Sequence, residues 1–381
     1  MATARDVARR AGVSTSTVSH VFNGTRGVSK KLRDRVLAAS DELGFEPNIV
    51  ARTLKTNQSR TLGFVVPDVN AFYIDVLRGV EDVAGAAGYA VMFCHTHDDP
   101  TQEQNYLRLL RARRADGIIL SPAGTYHDEL DRLSRSAYPL VLFDCSVPGL
   151  SADLVAVDNE PAAHMAVAHL IEKGHRRIGM VSGDYVFSSS ERRVRGYRRA
   201  LEEAGIPFDE SLVVSGASRA DLSRRAVLEL MSRSPRPTAL FVGNNQMTAG
   251  AMIALQELGL AVPDDVAYVG FDDVDWASFL RPQMTMVAQP TYEIGRTATQ
   301  MVIDRIEGDP DRPARRVSLE AKLMVRESSG GGVSLAPASL AQTQDRTSSR
   351  RLPSERVVLA EAARRPRVRA AGPVRARQQP M

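Results

Sequence analysis

Between residues 62 and 270, short apolar runs alternate with stretches of helical periodicity, and no other feature constrains the fold as much. Residues 62–66, 90–94, 117–120, 140–143 and 154–157 are continuous apolar or near-apolar runs of the length expected for strands buried on both faces. Helical stretches near 72–87, 101–114 and 127–136 separate the first four. Strand, helix, strand in that order predicts parallel pairing through crossovers, which is a doubly wound sheet. A second series opens at 177–181 and continues through 213–214, 239–242 and 266–270, again with helices between. The expectation is an α/β body of two parallel doubly wound sheets over residues 61–328. A helix from Pro290 through Ile306 and a strand-like run at 316–325 return the chain to that body.

In open parallel sheets, ligands sit beyond the carboxyl ends of the strands. The residues just past those ends are polar and aromatic: Asp68, Asn70, Phe72 and Tyr73, then His95, His97, Ser121 and Asp144, then Asp158. In the second series they are Ser182, Asp184, Asn244, Asn245, Asp272, Asp273 and, further on, Gln289. Carboxylates, amides and aromatic faces suit a sugar, whose hydroxyls need donors and acceptors together while its C–H face stacks on a ring. His95 and His97 precede Asp98 and Asp99, but no third ligand has a motif tying it there, so no metal site is expected. His164 and His169 fall about 140° apart on a helix, which is poor spacing for one ion. The chain carries no P-loop, HExxH or GxSxG motif, so catalysis and a cofactor are not expected.

Charge divides the chain into three. Residues 1–60 carry eleven Lys or Arg against five acidic residues, and 331–381 carry ten Arg against three, so the overall +4 leaves −9 between them. Only the ends suit a polyanion. Cys94 and Cys145 stand fifty-one residues apart with no CxxC, so neither a disulfide framework nor a zinc finger is indicated. There is no apolar run of eighteen residues, and the amino end reads as a cappable helix, so a cytoplasmic protein without a membrane partner is expected.

The basic amino end has its own pattern. Thr3 can cap a first helix, Asp6 suits its first turn, Val7, Ala8 and Ala11 give it an apolar face, and Gly12 supplies a turn. In the second helix, counted at ~100° per residue from Thr15, Val18, Val21 and Phe22 fall between roughly 240° and 340°. Thr15, Ser16, Ser19, His20 and Asn23 spread over about 0° to 140°. One face is core and the opposite one is all short hydrogen-bonding groups. A third helix follows, capped by Ser29, with Leu32, Val36, Ala39 and Leu43 inward and Gly44 at its end. The result is a helix-turn-helix module over 1–47.

This segment resembles the headpiece of the lac/gal repressor family of bacterial transcription regulators. The residues that carry the likeness are Asp6-Val7-Ala8, Ala11-Gly12-Val13-Ser14, Thr17-Val18-Ser19, Asn23-Gly24, Val28-Ser29, Pro47-Asn48 and Ala51-Arg52-Thr53-Leu54. The resemblance implies that Thr15, Ser16 and His20 read bases while Thr17, Ser19 and Asn23 face phosphates. His20 stands where most members have Arg, and a neutral imidazole cannot make the bidentate Arg contact to guanine. It further implies that 48–60 is a hinge in which Ala51 and Leu54 enter the minor groove, Leu54 as an apolar wedge. Behind the headpiece the family carries a two-lobed, periplasmic-binding-protein-like domain. Onto that domain it places effector contacts at Asn70, Phe72, Tyr73, Asp144, Arg193, Asn244, Asp272 and Gln289. Ala71 replaces the usual Pro, and Cys145 stands where several pentose and hexose binders have Arg.

The reading is a homodimeric regulator, acting as a repressor on a pseudo-palindromic double-stranded DNA operator and controlled by a small molecule, a sugar first of all. Within the family, a purine or a phosphoprotein corepressor is the alternative. From other classes come a sugar-binding transport receptor and an enzyme on an α/β fold. Residues 329–381, rich in Arg, Ala, Pro and Ser without sustained periodicity, read as a disordered tail.

Overall fold

A computed structural model describes residues 2–23, 27–45, 58–124, 126–136, 138–309 and 312–330, apart from the side chain of Asn23. The expectations for that side chain, for Ala51, Leu54 and most of the hinge, and for 331–381 lie outside the described residues.

The amino-terminal module has three helices, α1 (Ala4–Ala11), α2 (Thr15–Asn23) and α3 (Lys30–Leu43). Thr3 and Asp6 cap α1 reciprocally, the Asp6 carboxylate accepting from the Thr3 amide at 2.9 Å. Gly12 takes the left-handed conformation, φ 61°, that turns the chain into α2. Val7, Ala8, Ala11, Val18, Val21, Val36 and Ala39 form the core. Two details depart from the sequence reading. Ser29 precedes α3 without a side-chain cap, and Leu43 is exposed. Past Gly44 the chain doubles back, the Phe45 amide bonding to the Ser40 carbonyl at 2.9 Å, and the Phe45 ring packs 5.8 Å from Phe22. Phe45 thus closes the end of the core that Leu43 was expected to fill.

Two six-stranded sheets follow. The first has the order β11-β5-β4-β3-β1-β2 and is parallel throughout. Its strands are β1 (Thr61–Val66), β2 (Ala90–His95), β3 (Gly117–Leu120), β4 (Leu140–Phe143), β5 (Asp153–Val157) and β11 (Arg316–Leu319). The second has the order β12-β10-β9-β8-β6-β7. It is built from β6 (Ile178–Ser182), β7 (Val213–Ser215), β8 (Ala239–Val242), β9 (Ala267–Phe271), β10 (Thr285–Ala288) and β12 (Lys322–Met324). All its pairs are parallel except β10–β12.

The strand-like run at 316–325 is therefore two strands in two sheets, and β10 was not anticipated. Directionality explains the split. β11 runs parallel to β5 and delivers the chain to the carboxyl edge of the first sheet. From there the second sheet can be entered only from its own carboxyl edge, so β12 runs antiparallel. The chain passes between the lobes three times, after β5, after β10 and after β11, and each passage lies at the edge where the sheets face one another. At the opposite, amino edge of the first sheet an ion pair fastens the far end of the helix that follows β10: Arg305 donates to both oxygens of the buried Asp153 at 2.7 and 2.8 Å.

Three pairs of helices pack with glycine at the crossing. They are α4 (Ala71–Ala86) with α11 (Thr291–Glu307), α7 (Asn159–Glu172) with α8 (Ser188–Glu203), and α9 (Ala220–Met231) with α10 (Asn245–Glu257). A Cβ built on Gly295 would lie 2.0 Å from the Val76 carbonyl oxygen, and one on Gly196 2.2 Å from that of Glu160. Both obstructions are backbone and cannot swing aside. Gly196→Ala and Gly295→Ala are each expected to lower stability by about 1–3 kcal/mol through overpacking, read as a fall in the urea midpoint at unchanged slope.

Candidate functional site

Between the facing carboxyl edges lies a cavity of about 610 Å³. All eight residues expected to hold an effector line it: Asn70, Phe72, Tyr73 and Asp144 from the first lobe, and Arg193, Asn244, Asp272 and Gln289 from the segments that build and follow the second. They lie up to 219 residues apart in the chain, and the fold brings them together.

The two lobes present these side chains in matching ways. Asp144 follows β4 and Asp272 follows β9, and both take positive φ, 64° and 70°. Their amides bond to equivalent neighbours, Asp144 to the Val155 carbonyl of β5 at 3.1 Å and Asp272 to that of Val287 on β10 at 2.9 Å. Each strand ends in a left-handed residue that turns a carboxylate into the gap, a conformation Asp tolerates better than most residues. Asn70 and Asn244 cap α4 and α10, their side-chain oxygens accepting from the amides of Phe72 at 3.0 Å and Met247 at 2.8 Å. That bond fixes each amide; Asn70 Nδ2 then donates to Asp68 at 2.7 Å, while Asn244 Nδ2 has no hydrogen-bond partner among the described residues.

Arg193 is 7 % exposed. Its Nε donates to Asn159 at 2.7 Å, its Nη1 to the Gly243 carbonyl at 2.5 Å, and its guanidinium lies 3.8 Å from the centroid of Phe271. Nη2 has no hydrogen-bond partner among the described residues, so the group is clamped with both Nη2 hydrogens left to donate. Burial lifts Asp144 above the usual carboxylate range, against the pull of Arg193. Asp272 accepts from Gln289 Nε2 at 2.7 Å and from the Asn245 amide at 3.3 Å.

Other wall residues had no role assigned from sequence. Phe187, Ser189, Ser190, Ser218, Arg219, Asp221 and Gln246 reach the cavity from loops and helix starts whose direction is set only by packing. Conversely, Asp273 is spent on a two-pronged pair with Arg326, at 2.7 Å on both arms. Ser121 lies beneath the wall, its hydroxyl 3.4 Å from that of Tyr73. Asp158, Ser182, Asp184 and Asn245 do not line the cavity.

Polar contacts cross from lobe to lobe at both ends. At one end Gln246 Nε2 donates to Asp68 at 3.3 Å and Asn245 Nδ2 to Asn70 at 3.4 Å. At the other the Ser146 amide donates to the Ser188 hydroxyl at 3.0 Å, and Cys145 Sγ lies 3.1 Å from that of Ser189. The lobes are closed onto one another around the cavity. Burial pushes the Cys145 thiol up, so it lines the wall as a neutral group. Cys94 and Cys145 are both free and buried.

In the helix-turn-helix, Thr15 and Ser16 are exposed while Thr17, Ser19 and His20 are half-buried; Val18 and Val21 are buried, as the periodicity predicts. Ser14 Oγ accepts from the Thr17 amide at 3.1 Å and lies 2.7 Å from Ser16 Oγ. Among the described residues no group of His, Cys, Asp and Glu is placed to hold a metal ion, and no helix is long and apolar enough to cross a membrane. His164 and His169 are separately engaged, with Glu203 at 2.6 Å and Ser329 at 2.8 Å.

A three-helix reading module followed by two sheets closed on a polar cavity defines a DNA-binding regulator with a ligand-binding body. Residues 3–48 match the bacterial regulatory proteins of the lacI family, and residues 167–329 match the periplasmic binding protein-like domain. The HTH-type transcriptional repressor PurR of Vibrio atlanticus (strain LGP32) is 36% identical over 328 residues, 86% of this chain and 98% of that protein. The lac repressor dimer bound to operator and the anti-inducer ONPF has a TM-score of 0.74 at 26% identity, covering 86% of this chain and 99% of that one. The transcriptional regulator CelR in complex with cellobiose has a TM-score of 0.66 at 32% identity, covering 86% and 100%. The chain belongs to the lacI family of bacterial transcription regulators.

At the mouth of the cavity, burial and then the Asp68 carboxylate push Asp98 up to about 6, with Arg219 and His97 pulling the other way. A carboxyl raised on folding costs stability as pH climbs from its unfolded value near 4 through the folded value, because the unfolded chain releases the proton first. Asp98→Asn is therefore expected to melt higher than the parent protein at pH 7 and to lose that advantage near pH 4, measured by calorimetry.

Proposed function

We propose that the protein is a homodimeric repressor, not an enzyme, that docks one headpiece on each half of a pseudo-palindromic operator and is controlled by a neutral sugar held between the lobes. Thr15, Ser16 and His20 take the base edges, with Thr17, Ser19 and Asn23 on phosphates and Ala51 and Leu54 at the minor groove. On this reading residues 1–47 are the headpiece, 48–60 the hinge, 61–328 the effector and dimerisation body, and 329–381 a tail. The observation that carries the effector assignment is the convergence of Asn70, Phe72, Tyr73, Asp144, Arg193, Asn244, Asp272 and Gln289 on one cavity.

The cavity's chemistry favours a sugar over an anion. Five aspartates line it against two arginines, so a phosphorylated ligand would enter a field of its own sign. Hydroxyls fit instead, because the carboxylates accept, Asn244 Nδ2 and Arg193 Nη2 donate, and Phe72, Tyr73 and Phe187 offer apolar surface. The likeness to a regulator solved with cellobiose supports the same class.

A thermal-shift series of neutral sugars and nucleobases on the full chain tests this. A ligand at a hundred times its dissociation constant adds roughly 2.7 kcal/mol, which raises the melting temperature by several degrees. A shift with nucleobases alone would overturn the sugar assignment. With the binding sugar in hand, Arg193→Ala is expected to lose the ligand-dependent change in operator retention in a gel-shift assay. Leu54→Ala is expected to weaken binding to the DNA upstream of the protein's own gene at least tenfold more than binding to random duplex. Equal loss on both duplexes would remove the wedge.

A further inference from the structure

Resting on the sugar assignment, we infer that the cleft holds two glycosyl units, the second in a subsite built by His95, His97, Asp98, Ser218, Arg219 and Gln246. The polar walls fall into two groups. Asp144, past β4, interacts with Arg193 and with Asp272, past β9, whereas Asp98, past β2, interacts with His97, with Asp68 past β1 and with Arg219 past β7. Tyr73 is within electrostatic reach of both Asp144 and Asp98.

Strand order sets the distance between the groups. β4 and β2 are three strand positions apart in the first sheet, as β9 and β7 are in the second. At about 4.8 Å per position the two groups are offset by roughly 14 Å. One pyranose with a hydrogen bond at either end spans about 11 Å. The volume agrees: even at the roughly 30 Å³ of a free water per heavy atom, more than bonded atoms fill, the about twelve heavy atoms of one hexose leave a large part of the 610 Å³ empty. A single ring at Arg193 leaves the second group unused.

That second group has hydrogen-bonding capacity to spare. The side chains of His97 and Asp98 have no hydrogen-bond partner among the described residues, and the rings of His95 and His97 lie 3.8 Å apart beside them. Backbone geometry holds them in place. His97 and Asp98, past β2, have φ of 57° each, and Ala217 and Ser218, past β7, have 44° and 56°. Both sheet edges therefore turn their loops into the same end of the cavity. Arg219 is held by both oxygens of Asp221 at 3.1 and 3.2 Å, which fixes its guanidinium at the mouth.

Titration calorimetry of the full chain with glucose, galactose and fructose, and with cellobiose, maltose, lactose, trehalose, sucrose and melibiose, tests the subsite. The expected result is a disaccharide binding at least tenfold more tightly than either of its units. His97→Ala and Asp98→Asn, both at the cavity wall and outside the hydrophobic core, should each weaken that disaccharide at least fivefold and its best-bound unit no more than twofold. A monosaccharide that binds as tightly as every disaccharide, or variants that weaken both ligands equally, would overturn the second subsite while leaving the sugar assignment standing. Binding of adenine, guanine or hypoxanthine with no carbohydrate bound, or of none of these ligands, would overturn both.

Discussion

Parallel pairing is the constraint from which the rest of this molecule follows. A parallel strand cannot be reached by a hairpin, so each must be preceded by a return across the sheet, and all strands then end at the same edge. With two such sheets turned edge to edge, eleven of the twelve strands among the described residues deliver their last residue to one gap. Polar side chains placed after strands are thereby gathered without any local motif to bring them together. β12 is the exception that the three inter-lobe passages require.

The gap is acidic, yet its charges are individually managed. Arg193 is bound on two nitrogens and covered by Phe271, so it enters the cavity at a fixed angle with Nη2 left to donate. Asp272 is held by Gln289 and by the start of α10, which ties a carboxylate of one lobe to the segment leading into the other. Because Gln246 and Asn245 also reach Asp68 and Asn70, small changes at the floor of the gap are mechanically connected to lobe orientation. A ligand touching both lobes stabilises the orientation in which it can do so, and a difference in affinity between orientations is all that allosteric control requires.

The sequence was legible where residue type and period agreed. Val18 and Val21 inward with Thr15 and Ser16 outward follows from 100° steps, and the Thr3–Asp6 cap from residue chemistry alone. It was less legible where an outcome depended on a partner distant in the chain. Leu43 has the spacing of a core residue, but Phe45, folded back past Gly44, fills that space. β10 is short and follows a loop rather than a helix, so the alternation that exposed the other strands passes over it. Asp272 and Asp273 cannot be told apart by position after a strand; Arg326, fifty-three residues on, takes one and leaves the other for the cavity.

Sequence alone determined the kinds of element, their order, and the residue types that would stand at strand ends, because periodicity and backbone preference are local. It also determined which face of α2 could be buried. Tertiary structure decided which of those strand-end residues share a cavity, how the run at 316–325 divides between two sheets, and which carboxylates are paired with a partly buried arginine. Those outcomes turn on contacts between segments that only the packed sheets bring within reach, and no local pattern in the chain encodes the distance between them.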